Sequence, residues 1–253
     1  METVPTFLRE YYEQRPLDLN DEKFAEVHEQ FLRALPSITL ADYNEIQHTT
    51  YRELCFRCHK RYVAIKEAQA RENLLAIARN AETPTGEKLS GFGRMAYDRV
   101  RDLRTMVDFR NCKKVAMVGS GAFPSTLLWL RDHFPIIHYI GLDIDPTCVK
   151  MATELVEALG FDNVHFKAID GREYDFGDID FVYVGNYVVP KRAVLEQIAR
   201  SPSVRQVVVR EPTPVGGELL AEAVRPDLPP VFVADSAGAV GGIVSYDLLL
   251  RRV

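Results

Sequence analysis

From Lys113 onward, apolar residues come in short unbroken runs separated by longer amphipathic stretches. The runs 114–118, 136–143, 164–169, 179–185, 204–210, 230–234 and 242–250 have the length and β-branched content of buried strands. The stretches 124–133, 146–159, 190–199 and 215–224 have helical spacing. Strand alternating with helix predicts right-handed crossovers and a mainly parallel sheet covered on both faces. The last two strands are joined by ADSAGAVGG with no helix between them, so the final strand is expected to run antiparallel.

Residues 1 to about 108 keep a 3.6-residue rhythm instead. Asn20 or Asp21 caps a predicted helix through Phe24, Val27, Phe31 and Leu32. A longer helix is predicted from about Thr49 to Ala78. Tyr51, Leu54/Cys55, Cys58, Tyr62 and Ile65, then Leu74, Leu75 and Ile77, form its buried stripe. TPTG, Thr83 to Gly86, breaks the chain. A third helix carries Phe92, Met95/Ala96, Arg99/Val100, Leu103 and Met106/Val107. The predicted division is an N-terminal helical cap domain, 1–110, and an α/β domain, 111–253.

Composition narrows the function classes. The 253 residues are 47% hydrophobic and 26% charged, with a net charge of -5, and no Lys/Arg cluster suits a phosphate backbone. Nucleic acid is therefore not the expected partner. No run approaches the ~18 apolar residues of a membrane span. The opening METVPTFLREYYEQRP lacks the apolar core of a signal peptide, and a cytoplasmic protein is expected. CFRCH, Cys55 to His59, has the spacing of a c-type haem attachment but lies inside a helical stripe, so Cys55 and Cys58 read as small apolar residues. No Cys/His set has zinc spacing. His28, His48, His133, His138 and His165 read as surface residues or partners of backbone groups, and no metal is expected.

Candidate chemistry falls at the carboxyl ends of the strands, where open α/β sheets bind ligands. Gly119-Ser120-Gly121 lets backbone approach a ligand ahead of a helix N-terminus. Pro124 stands where a dinucleotide fingerprint has its third glycine, which disfavours pyrophosphate. Asp143, followed by Ile144, is placed to take both ribose hydroxyls. Asp170-Gly171 ends the third strand, where a carboxylate reaches an adenine amino group. Gly185-Asn186-Tyr187 ends the fourth, beside a reacting group. Together they point to an adenosine-type ligand without pyrophosphate. Six parallel strands with a reversed seventh is the sheet associated with S-adenosylmethionine (SAM) methyltransferases, and SAM fits these features.

The helical half adds a resemblance. VGSGAFPSTLLWL, IGLDIDPTCVKMA, RYVAIKEAQARENLLAIA and GFGRMAYDRVRDL are similar to segments of the nicotianamine synthase family, and more closely of its short bacterial members that make opine metallophores of the staphylopine and pseudopaline kind. That resemblance implies transfer of the 3-amino-3-carboxypropyl group of SAM to an amine, with release of 5′-methylthioadenosine. It implies Glu67 as catalytic base, Tyr97 as its partner in orienting the amine, an amino-acid acceptor (histidine in the short relatives) and a separate opine dehydrogenase acting on the product. Around Tyr97 the chain departs from longer members, with Gly93, Arg94 and Met95 where they carry more aromatics. A homodimer is compatible with all of this.

Read from the residues alone, alternatives stay open. Glu67 and Arg71 are spaced to form a solvated i,i+4 pair. Tyr97 lies off its helix stripe and also suits a boundary tyrosine with a packed ring and a wet hydroxyl. Asn186, Tyr187, Arg210 and Glu211 suit a zwitterionic acceptor, and Arg210-Glu211 equally suits an internal ion pair beside a proline-rich loop. A conventional small-molecule N- or O-methyltransferase, or a SAM-binding sensor without catalysis, would share the same SAM motifs.

Overall fold

The computed structural model describes residues 5–46, 50–80, 88–101, 103–237 and 244–253. His48, the TPTG break and most of the ADSAGAVGG connection lie outside them. The helical half contains α1 (Thr6–Glu13), α2 (Asp21–Ala34), α3 (Leu40–Ile46), α4 (Thr50–Arg79), α5 (Gly91–Asp98) and α6 (Leu103–Met106). Asn20 caps α2, its side chain accepting the Lys23 amide at 3.0 Å. The continuous third helix expected over Phe92 to Val107 is two pieces, α5 and α6.

The second half alternates β1 (Lys114–Val118), α7 (Ser125–His133), β2 (His138–Asp143), α8 (Pro146–Ala158), β3 (Val164–Ala168), β4 (Phe181–Val184), α9 (Lys191–Ala199), β5 (Gln206–Pro212), β6 (Phe232–Ala237) and β7 (Ser245–Arg252). The sheet order is β3-β2-β1-β4-β5-β7-β6. β7 inserts between β5 and β6 and pairs antiparallel with both, so it is the reversed strand that the missing helix implied. The helix expected at 215–224 is only a 3-10 turn, Gly217–Leu219. Val215 there adopts φ 64, and a Cβ at Gly217 would meet the Val244 carbonyl at 2.2 Å, so close backbone packing replaces a helix.

Alternation along the strands divides the sheet's burial between two faces. Val115, Met117, Tyr139, Phe181, Tyr183, Val208 and Leu249 pack beneath α7, α8 and the second half of α4. Ala116, Val118, Leu142, Val182, Val184, Val207 and Val209 pack against α9. A third core holds α1, α2 and the first half of α4, including Cys55 and Cys58. Burial pushes the Cys55 thiol up to about 12, as expected of an inert packed cysteine. The 30-residue α4, about 45 Å long, joins the third core to the first. Glu67 lies where the helix passes from Tyr62 in one core to Ala70 in the other.

Parallel register brings Val118, Leu142 and Val184 level, so Gly119, Asp143 and Gly185 share one sheet edge. The Gly185 amide donates to the Val118 carbonyl at 2.9 Å. A Cβ at Gly185 would stand 2.9 Å from the Gly119 carbonyl and 3.2 Å from that of Val118. Both neighbours are backbone, so neither can swing aside. Gly185→Ala is expected to destabilise the protein by about 1–3 kcal/mol, read as a lowered midpoint of thermal unfolding.

Candidate active site

At this edge, beneath α4 and α5, lies a cavity of about 300 Å³. α4 supplies His59, Tyr62, Val63 and Glu67, and α5 with its C-cap supplies Phe92, Met95, Ala96 and Arg99. The sheet side supplies Gly119, Ser120, Thr126, Gly185, Asn186, Tyr187, Arg210 and Ser245. Both sets of helical positions are separated by three or four residues, so each helix presents one face.

Glu67 stands over the glycine loop. A Cβ added at Gly121, where φ is 65, would lie 3.2 Å from Glu67 Oε2. Glycine is thus required both by its backbone and by the carboxylate above it. Burial pushes Glu67 up to about 8, with Arg99 opposing and Asp143 reinforcing the shift. The carboxyl keeps an open side toward the cavity while protein surrounds the rest. Arg71 is not its partner: that guanidinium bonds Glu72 at 2.8 Å and Glu154 at 3.0 Å.

Asp143 Oδ2 accepts the Gly121 amide at 2.8 Å and Oδ1 the Asp145 amide at 3.0 Å, bracing the loop from β2. Asp143, exposed Ile144, Asp170 and Gly171 lie on the sheet edge outside the cavity lining. Asp170 is clamped by Arg172, with Nη2 at 2.6 Å from Oδ2. The guanidinium hydrogen bond holds that carboxyl below the ordinary aspartate value. Gly171 admits the Val118 side chain, which a Cβ would meet at 2.6 Å.

Two expected contacts are corrected. Tyr97 does not line the cavity: it is buried, and its hydroxyl donates to Asp132 on α7 at 2.8 Å. The cavity face of α5 runs through Phe92, Met95/Ala96 and Arg99, and Tyr97 points about 100° around the helix from Ala96. Glu211 is also buried away from the lining, where it accepts the Val224 amide at 2.9 Å and the Arg225 amide at 2.9 Å. Nor is it the partner of Arg210. That guanidinium bonds Asp247 Oδ1 at 3.0 Å and Ser245 Oγ at 2.8 Å, and Tyr183 donates to the same Asp247 oxygen at 2.8 Å. Burial opposes the Arg210 charge, but Asp247 and Tyr183 hold it above the ordinary arginine value.

Arg99 is a site residue that periodicity concealed. It lines the cavity and, among the described residues, no ion pair holds it and its buried Nε has no hydrogen-bond partner. Burial and then the neighbouring Arg210 depress its pKa. Ser120 Oγ, Thr126 Oγ1 and Asn186 Oδ1 are likewise buried and unpartnered among the described residues, on residues that line the cavity. Native buried polar atoms rarely stay unpaired. Four belong to residues around this one cavity, which makes it the candidate site for a polar ligand.

By sequence, no family model and no curated protein matches this chain. Solved structures do match its fold. A mutant of MtNAS in complex with S-adenosylmethionine matches with TM-score 0.76 at 15% identity, covering 98% of this chain and 99% of that one. MtNAS in complex with MTA and tNA matches at 0.77 and 16% identity, covering 98% and 96%. A SAM dependent methyltransferase from Aquifex aeolicus matches at 0.52 and 15% identity, covering 66% of this chain and 97% of that one. The likeness to MtNAS thus includes the helical half; at such identities it establishes the fold. Among the described residues, no group of three or more His, Cys, Asp or Glu could hold a metal ion. No described helix is long and apolar enough to cross a membrane.

His28 departs from its expected surface or backbone role. It is fully buried, its Nδ1 2.7 Å from the Tyr11 hydroxyl and its Nε2 3.0 Å from His59 Nδ1. Burial pushes His59 down to about 3; burial, then the His59 ring, pushes His28 down to about 2. The unfolded chain, with ordinary histidines, binds protons below about pH 6.5 that the native pair refuses. Stability from this pair is therefore full above that pH and falls as pH decreases, by about 2 kcal/mol per ring at pH 5. Thermal unfolding between pH 7 and 5 should show this loss, and the double variant His28→Gln/His59→Gln should show a shallower slope.

Proposed function

We propose that this chain is a SAM-dependent transferase that moves the 3-amino-3-carboxypropyl group to the amine of an amino acid, histidine foremost, in nicotianamine-like opine metallophore synthesis. The observation that carries the reading is Glu67: a carboxyl pushed up to about 8, held against the glycine loop in a cavity with two guanidinium groups. The full-length likeness to MtNAS, a nicotianamine synthase-like protein crystallised with SAM and with MTA, supports it. The methyltransferase from Aquifex aeolicus leaves a third of this chain unmatched.

The residues fit a SAM-sized nucleoside. Gly119, Gly121 and Gly185 open the loop, and Ser120, Thr126 and Asn186 offer unpaired polar atoms. Asp143 with Ile144 and Asp170 with Gly171 would flank the adenosine along the sheet edge. Bound SAM supplies a sulfonium whose adjacent side-chain carbon accepts the nitrogen as the C–S bond breaks and 5′-methylthioadenosine leaves. Glu67 takes the ammonium proton of the acceptor, freeing the nitrogen lone pair. Arg99 and Arg210 hold carboxylates, and Asn186 and Tyr187 complete the acceptor's polar contacts. Tyr97 would act on this site by bonding α5 to Asp132 on α7. The product would pass to a reductive enzyme that joins it to a keto acid.

Incubation with SAM and mixed amino acids should yield 5′-methylthioadenosine and an acceptor heavier by one aminobutyrate unit, by mass spectrometry. S-adenosylhomocysteine and a methylated product would instead establish a methyltransferase. Glu67→Gln is expected to bind SAM in calorimetry while transfer falls about a hundredfold or more. A base works deprotonated, so kcat/KM should climb as pH rises toward about 8, where Glu67 ionises. Equal turnover at pH 6 and 8 would remove Glu67 from the proton transfer.

A further inference from the structure

The cavity has a second polar end that the proposed chemistry does not use. His59 stands two turns before Glu67 on α4, about 12 Å away along the helix. It lines the cavity, yet only 4% of its surface is exposed. Its Nδ1 is taken by His28, whereas its Nε2 has no hydrogen-bond partner among the described residues. The edge of Tyr187 packs on the ring, with centroids 5.7 Å apart, and Tyr62 stacks on it at 6.1 Å.

We propose that His59 reads the side-chain end of the acceptor amino acid. It donates Nε2–H to a neutral hydrogen-bond acceptor, an imidazole nitrogen or a side-chain amide oxygen, and Tyr11 and His28 are positioning residues that hold this tautomer. The inference rests on an amino acid being the acceptor. The direction of the relay follows from donor and acceptor strength. A phenol O–H is a stronger donor than a neutral imidazole N–H, and an imidazole nitrogen is a stronger acceptor than a phenol oxygen. Tyr11 therefore donates to His28 Nδ1 across 2.7 Å, and His28 Nε2–H donates to His59 Nδ1 across 3.0 Å. The proton of His59 is then on Nε2, the ring nitrogen that His28 leaves free on a residue lining the cavity. Burial keeps both rings neutral, so this end offers a dipole and no charge. An ionised side chain there would lose its hydration against Leu32, Tyr62 and Tyr187 without a counter-ion on His59. An apolar side chain would leave the Nε2–H unpaired, which is the larger source of discrimination.

The test compares histidine, asparagine, leucine and phenylalanine, leucine being nearly isosteric with asparagine. It measures kcat/KM for aminobutyrate transfer and, separately, calorimetric binding of each to protein saturated with 5′-methylthioadenosine. The wild type should favour a polar member over its apolar counterpart by about tenfold or more. His59→Phe keeps an aromatic ring without the N–H and should cut that ratio about ten- to a hundredfold, through KM, with SAM affinity unchanged. His59→Gln, which retains an N–H donor, should restore part of the ratio. Tyr11→Phe should lower it severalfold, an effect on a ratio that general loss of packing would not produce. A ratio within twofold of wild type in His59→Phe overturns the inference. If His59→Phe does not fold, by circular dichroism, the Tyr11→Phe and His59→Gln ratios decide in the same way. If no amino acid is aminobutyrylated, the proposed activity fails, and the calorimetric ratios still decide whether His59 reads the side chain.

Discussion

Gly121 has no side chain, and the Glu67 carboxylate lies where one would begin to crowd it. That contact ties the molecule's two halves at the point where ligands of open α/β sheets bind. It exists because α4 belongs to two hydrophobic cores. Cys55, Cys58 and Tyr62 anchor it among the N-terminal helices, and Ala70, Leu74 and Leu75 anchor it on the sheet's face. Between the anchors the helix crosses the cavity and buries an acid that neither core pays to neutralise. An unpaired carboxyl in such surroundings holds its proton to higher pH. Helical burial on either side of Glu67 thus offsets the cost of keeping a proton acceptor where one is chemically useful.

The cationic side of the cavity follows a complementary rule. Asp247 and Tyr183 answer the Arg210 charge from the reversed strand and from β4. Among the described residues, no carboxylate forms an ion pair with Arg99. One wall therefore carries one neutralised guanidinium and one that is not, opposite a carboxyl that gains its charge near pH 8. The amino acid end of a ligand would match this pattern, its carboxylate meeting the guanidinium groups and its ammonium Glu67. A ligand without a carboxylate would leave Arg99 buried and uncompensated, which is costly.

Much of this was legible in the sequence because it is local. Short apolar runs located the strands, glycines and aspartates after them located the sheet edge, and the lack of a helix before β7 gave its reversal. Glu67 was singled out on a resemblance, and the structure places it at the loop. The failures share another cause. Arg99 was read as the flank of a stripe, because a period of 3.6 says which residues share a face but not whether that face meets a core or a cavity. Tyr97 differs from Ala96 by a single step, about 100°, which turns its hydroxyl to Asp132. Glu211 looked like a site residue next to Arg210, but adjacent residues on a strand point to opposite faces. The Tyr11, His28 and His59 chain joins three helices across the fold, and no spacing rule connects them. The segment 215–224 has helical spacing yet only a 3-10 turn, because Gly217 packs backbone against backbone.

The choice among the three carbons around a sulfonium is geometric, since each is bonded to the same positive sulfur. It must therefore be made by whatever fixes the incoming nitrogen relative to the nucleoside. In a bare α/β domain only the strand-end loops can do this. Here Leu32, His59, Tyr62 and Glu67 close the cavity from the helical side, and Phe92 and Arg99 close it beyond α4. These residues sit on helices packed into cores rather than on loops, so the angle of approach is set by rigid elements. On the proposed reading, a nitrogen delivered by Glu67 would be confined to the space above Gly121, because the carboxylate itself lies there. Carbon selectivity would then be a property of where α4 crosses the sheet edge, with the base and the selector on the same helix.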